Sequence, residues 1–208
     1  PGADVGGIPA DFGDAAQVDR LTEALAGTDI LVNNAGVFVL KEFAEISDAE
    51  WARYVDVNLM SGVRSARAAL PGMLERGWGR ILFVASESGV DVPADMIHYG
   101  VTKAATIALG NGLAKLTRGT GVTVNSILGG PTYSHGVAET VAAIATAQGM
   151  PVEDLKAAIT AGNQTSLLQR FIEPDEIAHL AAYLASPRSS ATNGAALRAD
   201  GGTLTTML

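Results

Sequence analysis

Apolar positions follow two rhythms along this chain. Unbroken apolar runs at Val5–Ala10, Asp29–Val32, Arg80–Ala85 and Gly121–Leu128, and a shorter one at Ala195–Arg198, predict strands. They show no clean polar alternation, so both faces of the sheet should be covered. Between them, apolar residues recur every three or four positions. Asp14 is placed to cap a helix to Ala26, with Val18, Leu21 and Leu25 on one face. Ser47, with Glu50 at the capping-box position, opens a helix through Trp51, Tyr54, Val55 and Leu59. Further helices are predicted over Gly62–Arg76, Ile97–Thr117 and Pro174–Leu184, the last with Pro in its first turn. Strands alternating with helices predict an α/β fold on a parallel sheet. One interval breaks the rhythm. Gly130–Ile172 carries helical stretches at Val137–Gln148 and Val152–Ala161, is too long for an ordinary connection, and is expected to form a substrate lid.

Composition narrows the function. A chain of 208 residues, 48% of them hydrophobic, can bury one large core, so one domain over residues 1–208 is expected. A net charge of −8 argues against nucleic acid or an anionic membrane as the main partner. No apolar run reaches membrane-spanning length and no signal peptide is visible, which makes the cytoplasm the expected compartment. The chain has no Cys, which excludes disulfides and thiolate metal sites. His98, His135 and His179 lack metal-ligand spacing, so no metal is expected and core or surface roles suit them better.

The candidate chemistry centres on Tyr99 and Lys103, four residues apart on a predicted helix, with Ser86 thirteen positions before the Tyr. Positions i and i+4 share a helix face. An ammonium beside a phenol favours phenolate: two charges ~4 Å apart at an effective dielectric of ~20 interact by about 4 kcal/mol. That predicts a Tyr99 pKa lowered by up to roughly three units, suited to proton transfer near neutral pH. The Ser86 hydroxyl could hold a carbonyl or hydroxyl oxygen between itself and Tyr99.

Further motifs follow in a fixed order: Asp11, Asn33-Asn34-Ala35-Gly36, Asn58 in Asp56-Val57-Asn58-Leu59, then Ser86, Tyr99 with Lys103, Asn125, and Gly130-Pro131-Thr132. Together they resemble the short-chain dehydrogenase/reductase family in its shorter subtype, from the first residues to the end. The resemblance implies a doubly wound Rossmann sheet and NAD or NADP at the carboxyl ends of the strands. It implies hydride transfer between nicotinamide and a carbonyl or secondary alcohol. By the same resemblance Asn58, Ser86, Tyr99 and Lys103 form a catalytic tetrad. Tyr99 is the general acid or base, Ser86 polarises the substrate oxygen, Lys103 also bonds the nicotinamide ribose, and Asn58 holds a water. Asp11 and Phe12 would meet the adenine, Asn33, Ala35 and Gly36 the adenosine ribose, and Gly130 and Thr132 the nicotinamide end. The resemblance also implies a homo-oligomer, dimer or tetramer, paired through the Gly62–Arg76 and Ile97–Thr117 helices.

Each residue also admits a plainer role. Asn33 and Asn34 could tie neighbouring strands, Asn58 could cap a helix, and Asp11 could begin a turn. Ser88 rivals Ser86, Glu87 reads as solvated, His98 points to another helix face, and Trp51 and Trp78 read as packing residues. Two departures from the family stand out. Gly129-Gly130 replaces the usual Pro-Gly, which should loosen the backbone there. The phosphate-binding glycine loop is absent, and Gly6-Gly7 does not supply it. The gap corresponds to two strands and two helices, on the order of 45 residues. The sheet is therefore expected to be incomplete on its N-terminal side, with a hole between the strand at Val5 and that at Asp29, and the sequence to be part of a longer protein. Two alternatives stay open: a binding or scaffold protein on a degenerate Rossmann fold, and a sugar-nucleotide epimerase or dehydratase, which also uses Tyr-x-x-x-Lys.

Overall fold

The computed structural model describes residues 3–207. Its elements in chain order are α1 (Ala15–Ala24), β1 (Ile30–Asn33), α2 (Asp48–Tyr54), α3 (Ser61–Arg76), β2 (Trp78–Val84), α4 (Ile97–Ala114), β3 (Gly121–Gly129), α5 (His135–Gln148), α6 (Val152–Gly162), α7 (Pro174–Ala185) and β4 (Ala196–Ala199). The four strands pair in sequence order, all parallel. Parallel neighbours require crossovers, and α3, α4 and α7 lie within them.

Side chains leave a strand alternately to its two faces. Ile81 and Phe83 of β2 join Leu31, Val122 and Val124 against α3 and α4, where Ala66, Ala69, Leu70 and Met73 complete the main core. Leu82, one step out of phase, meets Ile127 and Leu184 on the opposite face under α7. Both faces are thus covered, as the unbroken apolar runs predict. Coverage stops at β1. Ile30 and Val32 pair with Arg80 and Leu82 in register, yet both are 45% exposed. The outer apolar positions of β1 are therefore exposed at the sheet edge.

Val5–Ala10 does not form the expected strand. It has no regular structure, and Val5 is 83% exposed. A lone strand has no ladder bonds to offset its ordering entropy, and among the described residues no strand pairs with this run. Among the described residues the sheet runs from β1 to β4 without a gap.

The Ser47 capping box forms as predicted: Ser47 Oγ accepts from Glu50 N, and the Glu50 carboxylate accepts from Ser47 N. The helix it starts does not end near Leu59. Val55–Met60 widens into π turns and runs straight into α3, so two predicted helices are one. The predicted excursion 130–172 holds α5 and α6, packed on each other around Val141, Ala145 and Leu155. It returns through the Thr132–Ile172 bridge, with Tyr133 N donating to Ile172 O at 2.9 Å.

Candidate active site

Ser86 follows the C-terminal end of β2, where a parallel sheet opens towards ligands. A tight turn at Glu87–Gly89 then meets the start of α4. Glycines make this meeting possible. A Cβ on Gly89 would lie 2.8 Å from Ala104 N, and one on Gly100 would lie 2.7 Å from Ser88 O. Only hydrogens fit at these approaches. They seat the first turns of α4, and with them Tyr99 and Lys103, beside Ser86.

Lys103 is 6% exposed. Its Nζ donates to Val84 O at 2.7 Å and lies 5.5 Å from the centre of the Tyr99 ring. Ser86 is near enough to Tyr99 to lower its phenol pKa, and Phe38 packs edge-on against its ring at 6.4 Å. Ser86 Oγ is 2.6 Å from Glu87 Oε2 and accepts from Ser88 N at 3.1 Å. Asn58, in the π turns, reaches two other segments. Its Oδ1 accepts from Val37 N at 2.8 Å, and its Nδ2 donates to Val37 O at 3.0 Å and Thr102 Oγ1 at 3.1 Å. This side chain ties the loop after β1 to α4, so it is not a helix C-cap. A widened turn there is a common device at functional sites.

The electrostatics correct one expectation. Burial pushes the Tyr99 phenol up to about 12; Ser86 opposes the shift, and Glu87 and Tyr54 add to it. Burial pushes the Lys103 ammonium down to about 8, against Glu87. The predicted lowering of Tyr99 by Lys103 does not occur in this structure. Both groups lose water, which disfavours both charged forms. The ammonium is also aimed at Val84 O, over the ring and not at the phenol oxygen.

These features match known proteins. The family model described as enoyl-(acyl carrier protein) reductase matches residues 2–204. The chain is 42% identical over 193 residues to the oxidoreductase YvaG of Bacillus subtilis (strain 168), covering 92% of this chain and 73% of that protein. It is 34% identical over 205 residues to a D-beta-hydroxybutyrate dehydrogenase of Cupriavidus necator, covering 97% and 79%. The crystal structure of L-sorbose reductase from Gluconobacter frateurii, complexed with NADPH and L-sorbose, superposes with a TM-score of 0.89 at 30% identity, covering 96% and 77%. The chain belongs to the short-chain dehydrogenase/reductase family. It is an NAD(P)-dependent oxidoreductase on a Rossmann fold; the scaffold and epimerase alternatives are not favoured.

The structure brings Asn58, Ser86, Tyr99 and Lys103 together. The residues expected at the cofactor are more dispersed. Ala35 and Gly36 form exposed backbone after β1. A Cβ on Gly36 would sit 3.6 Å from Asn58 Oδ1 and 3.7 Å from Lys103 Nζ, which puts this loop beside the reactive side chains. Asn33 Nδ2 donates to Leu82 O at 3.4 Å, so it does tie β1 to β2. Asp11 Oδ1 accepts from Gly13 N at 2.9 Å, making the plain turn. Phe12 lines a cavity of about 380 Å³ with Asp56, Arg64 and Arg67. Gly130 gives close backbone contact, since a Cβ there would lie 2.6 Å from Asp200 O. Thr132 Oγ1 donates to Gly130 O at 2.9 Å. Gly129 pairs with Ala199 in the sheet, and Gly130 N donates to Ala199 O at 3.2 Å.

The donor set suits a nicotinamide dinucleotide. Lys103 is a buried ammonium whose one hydrogen bond among the described residues leaves donors free beside exposed backbone at Ala35 and Gly36. Among the described residues, no group of three or more His, Asp or Glu is placed to hold a metal ion, and no helix is long and apolar enough to cross a membrane.

Other expectations resolve cleanly. His98 is buried against Tyr54, 4.0 Å between ring centres, with Trp51 at 6.1 Å, and faces away from the reactive groups. Trp78 packs under the Arg80 guanidinium at 4.6 Å. Asn125 joins β3 to the segment before β4, donating to Thr192 O at 2.8 Å and accepting from Ala195 N at 3.1 Å. Glu87, read as solvated, is half-buried beside Ser86, and burial raises its carboxyl above the usual range. The sequence reading also missed Thr102, which receives Asn58 and donates to Tyr99 O at 2.8 Å. Its signal was position: it precedes Lys103 on the inward side of α4.

Proposed function

We propose that Asn58, Ser86, Tyr99 and Lys103 are the reaction groups of this oxidoreductase, acting on a carbonyl or secondary alcohol. The observation that carries the reading is the convergence of Ser86, Tyr99 and Lys103 at the end of β2. When bound, the nicotinamide cofactor supplies or accepts the hydride. Tyr99 is protonated at neutral pH, as an ordinary phenol is, and burial raises its pKa further, so it serves as the general acid in carbonyl reduction, giving its proton to the substrate oxygen. Ser86 orients that oxygen. Lys103 places a cation over the Tyr99 ring and bonds the cofactor ribose. Asn58 holds the loop after β1 and the α4 backbone in register with Lys103, and fixes a water next to it. Asp11, Phe12, Asn33, Ala35, Gly36, Gly130 and Thr132 line the path of the dinucleotide.

The single Rossmann-type domain over 1–208 carries segment 130–172 as its substrate lid. Gly136 at the start of α5 lies near Phe38, a Cβ there falling 3.9 Å from its ring, and Phe38 packs on Tyr99. The protein works in the cytoplasm as a homo-oligomer. Nicotinamide fluorescence on titrating the protein with NADH and NADPH tests the reading, with carbonyl reduction assayed beside it. Binding of one cofactor, lost turnover in Tyr99→Phe and retained binding in that variant are expected. Full turnover in Tyr99→Phe would remove Tyr99 from the reaction.

A further inference from the structure

The hydrogen-bonding valences of Ser86 do not close for catalysis unless Glu87 is counted. A hydroxyl has one hydrogen to give and two lone pairs to fill. Ser88 N–H fills one lone pair at 3.1 Å. Glu87 Oε2, at 2.6 Å, is the second partner, and the Tyr99 phenol, whose pKa Ser86 lowers, is the neighbour left to the remaining valence. An ionised carboxylate only accepts. With Glu87 ionised, the Ser86 hydrogen must point at Glu87, and the remaining lone pair draws the Tyr99 hydrogen. Neither hydrogen then faces a substrate carbonyl. With Glu87 neutral the pattern reverses. Glu87 donates to Ser86 Oγ and fills the second lone pair, which frees the Ser86 hydrogen and releases the Tyr99 hydrogen.

We propose that Glu87 is a positioning residue: in its neutral form it donates to Ser86 Oγ and turns the Ser86 and Tyr99 hydrogens towards the substrate oxygen. The inference rests on the reading of Ser86 and Tyr99 as reaction groups. Glu87 transfers no proton. Tyr99 still gives the proton that the substrate oxygen receives, and Glu87 keeps its own. Hydrogen bonds in such a chain polarise one another, so a donor behind Ser86 strengthens Ser86 as a donor in front.

The surroundings favour the neutral form. Burial raises the Glu87 carboxyl and outweighs the Ser86 hydroxyl and the Glu87 and Ser88 backbone N–H groups, which oppose the rise; the Asp200 carboxylate adds to it. Asp200 itself pairs with Arg198 at 2.9 Å at the end of β4. From α4, Tyr99 and Lys103 face the group; Lys103 favours the ionised form, and burial of Glu87 opposes it. His98 is turned towards α2. β3 offers no titratable side chain, and Asp91 and Asp95 on the following loop are exposed. In the alcohol direction Tyr99 accepts the alcohol hydrogen as phenolate, and Ser86 is the donor that still faces the substrate oxygen.

Infrared titration of the whole protein tests the placement of the proton. Wild type should show a protonated-carboxyl carbonyl band that persists above the ordinary glutamate pKa of about 4.3, and Glu87→Gln should lack it. Identical spectra for the two proteins above that pH overturn the proposal. Kinetics test the consequence, with NADPH and 2,3-butanedione as the probe. In wild type, kcat/KM for reduction should fall about tenfold per pH unit once Glu87 ionises. Glu87→Gln, whose amide donates at every pH, should lose that limb and keep turnover. Glu87→Ala should run about tenfold slower across the range. Matching pH profiles for wild type and Glu87→Gln overturn the relay. Absence of any nicotinamide turnover counts against the oxidoreductase site itself, and the infrared titration still decides where the Glu87 proton lies.

Discussion

The two halves of the site are built differently. The half that holds Asn58, Ser86 and Lys103 is buried, each residue no more than 6% exposed. Its bonds cross long stretches of chain: Asn58 to Val37 and Thr102, Lys103 to Val84. The half that holds Asp11, Ala35 and Gly36 is exposed, and among the described residues Asp11 bonds to residues close in sequence, Gly13, Asp14 and Gln17. The first half is preorganised by the fold, so its geometry exists before any ligand arrives. The second is open backbone that gains partners on binding. Damage to the first half should therefore alter rate or stability, and damage to the second should alter affinity.

The sharpest test of this contrast is Tyr99→Phe. It should lower kcat by about 10²–10⁴-fold and change nicotinamide affinity by less than about twofold, read by steady-state kinetics beside a fluorescence titration. A large loss of affinity would mean that the buried half also builds the dinucleotide site.

Next in size is a pH effect from Lys103. Its pKa falls from 10.5 to about 8 on folding. Between those values the unfolded chain holds a proton that the folded chain lacks, so this group makes stability rise with pH, by on the order of 3 kcal/mol across the window. Tyr99 acts oppositely: its raised pKa, from 10.0 to about 12, makes stability fall with pH in that range. Urea unfolding at stepped pH should show the rise in wild type and a flatter profile in Lys103→Met.

Asn58→Ala should cost about 1–3 kcal/mol, because Val37 N–H loses its buried acceptor. Gly89→Ala should cost a similar amount, about 1–3 kcal/mol, by pushing α4 off the Ser86 turn. Both show as a lower urea midpoint. The smallest expected effect on stability is that of Asp11→Ala, under about 0.5 kcal/mol, with dinucleotide Kd raised about fivefold. An Asp11 variant that unfolds easily but binds normally would reverse the contrast between the halves.

Much of this was legible along the chain. The apolar runs located β1 to β4 within a residue or two, and the Ser47 and Asp14 caps formed where their side chains predicted. Tyr99 and Lys103 share a helix face because helix geometry allows nothing else at that spacing. The run Val5–Ala10 misled because a strand is a property of a pair, and its apolar content says nothing about a partner. Glu87 misled for a related reason. A charged residue in a turn is usually solvated, and only the packing of α4 onto that turn closes water away from it.

The sequence by itself determined the four strands that pair and most of the helices, which face each would bury, and which side chains were chemically equipped to move a proton. Those follow from local periodicity, capping and residue type, which act over a few positions. Tertiary structure decided the rest: that Val55–Met60 widens so that Asn58 can grip Val37 and Thr102, that Lys103 aims at Val84, and that Tyr99 is held as a phenol. Desolvation and long-range hydrogen bonds set those outcomes, and both depend on segments that meet only when the chain is folded.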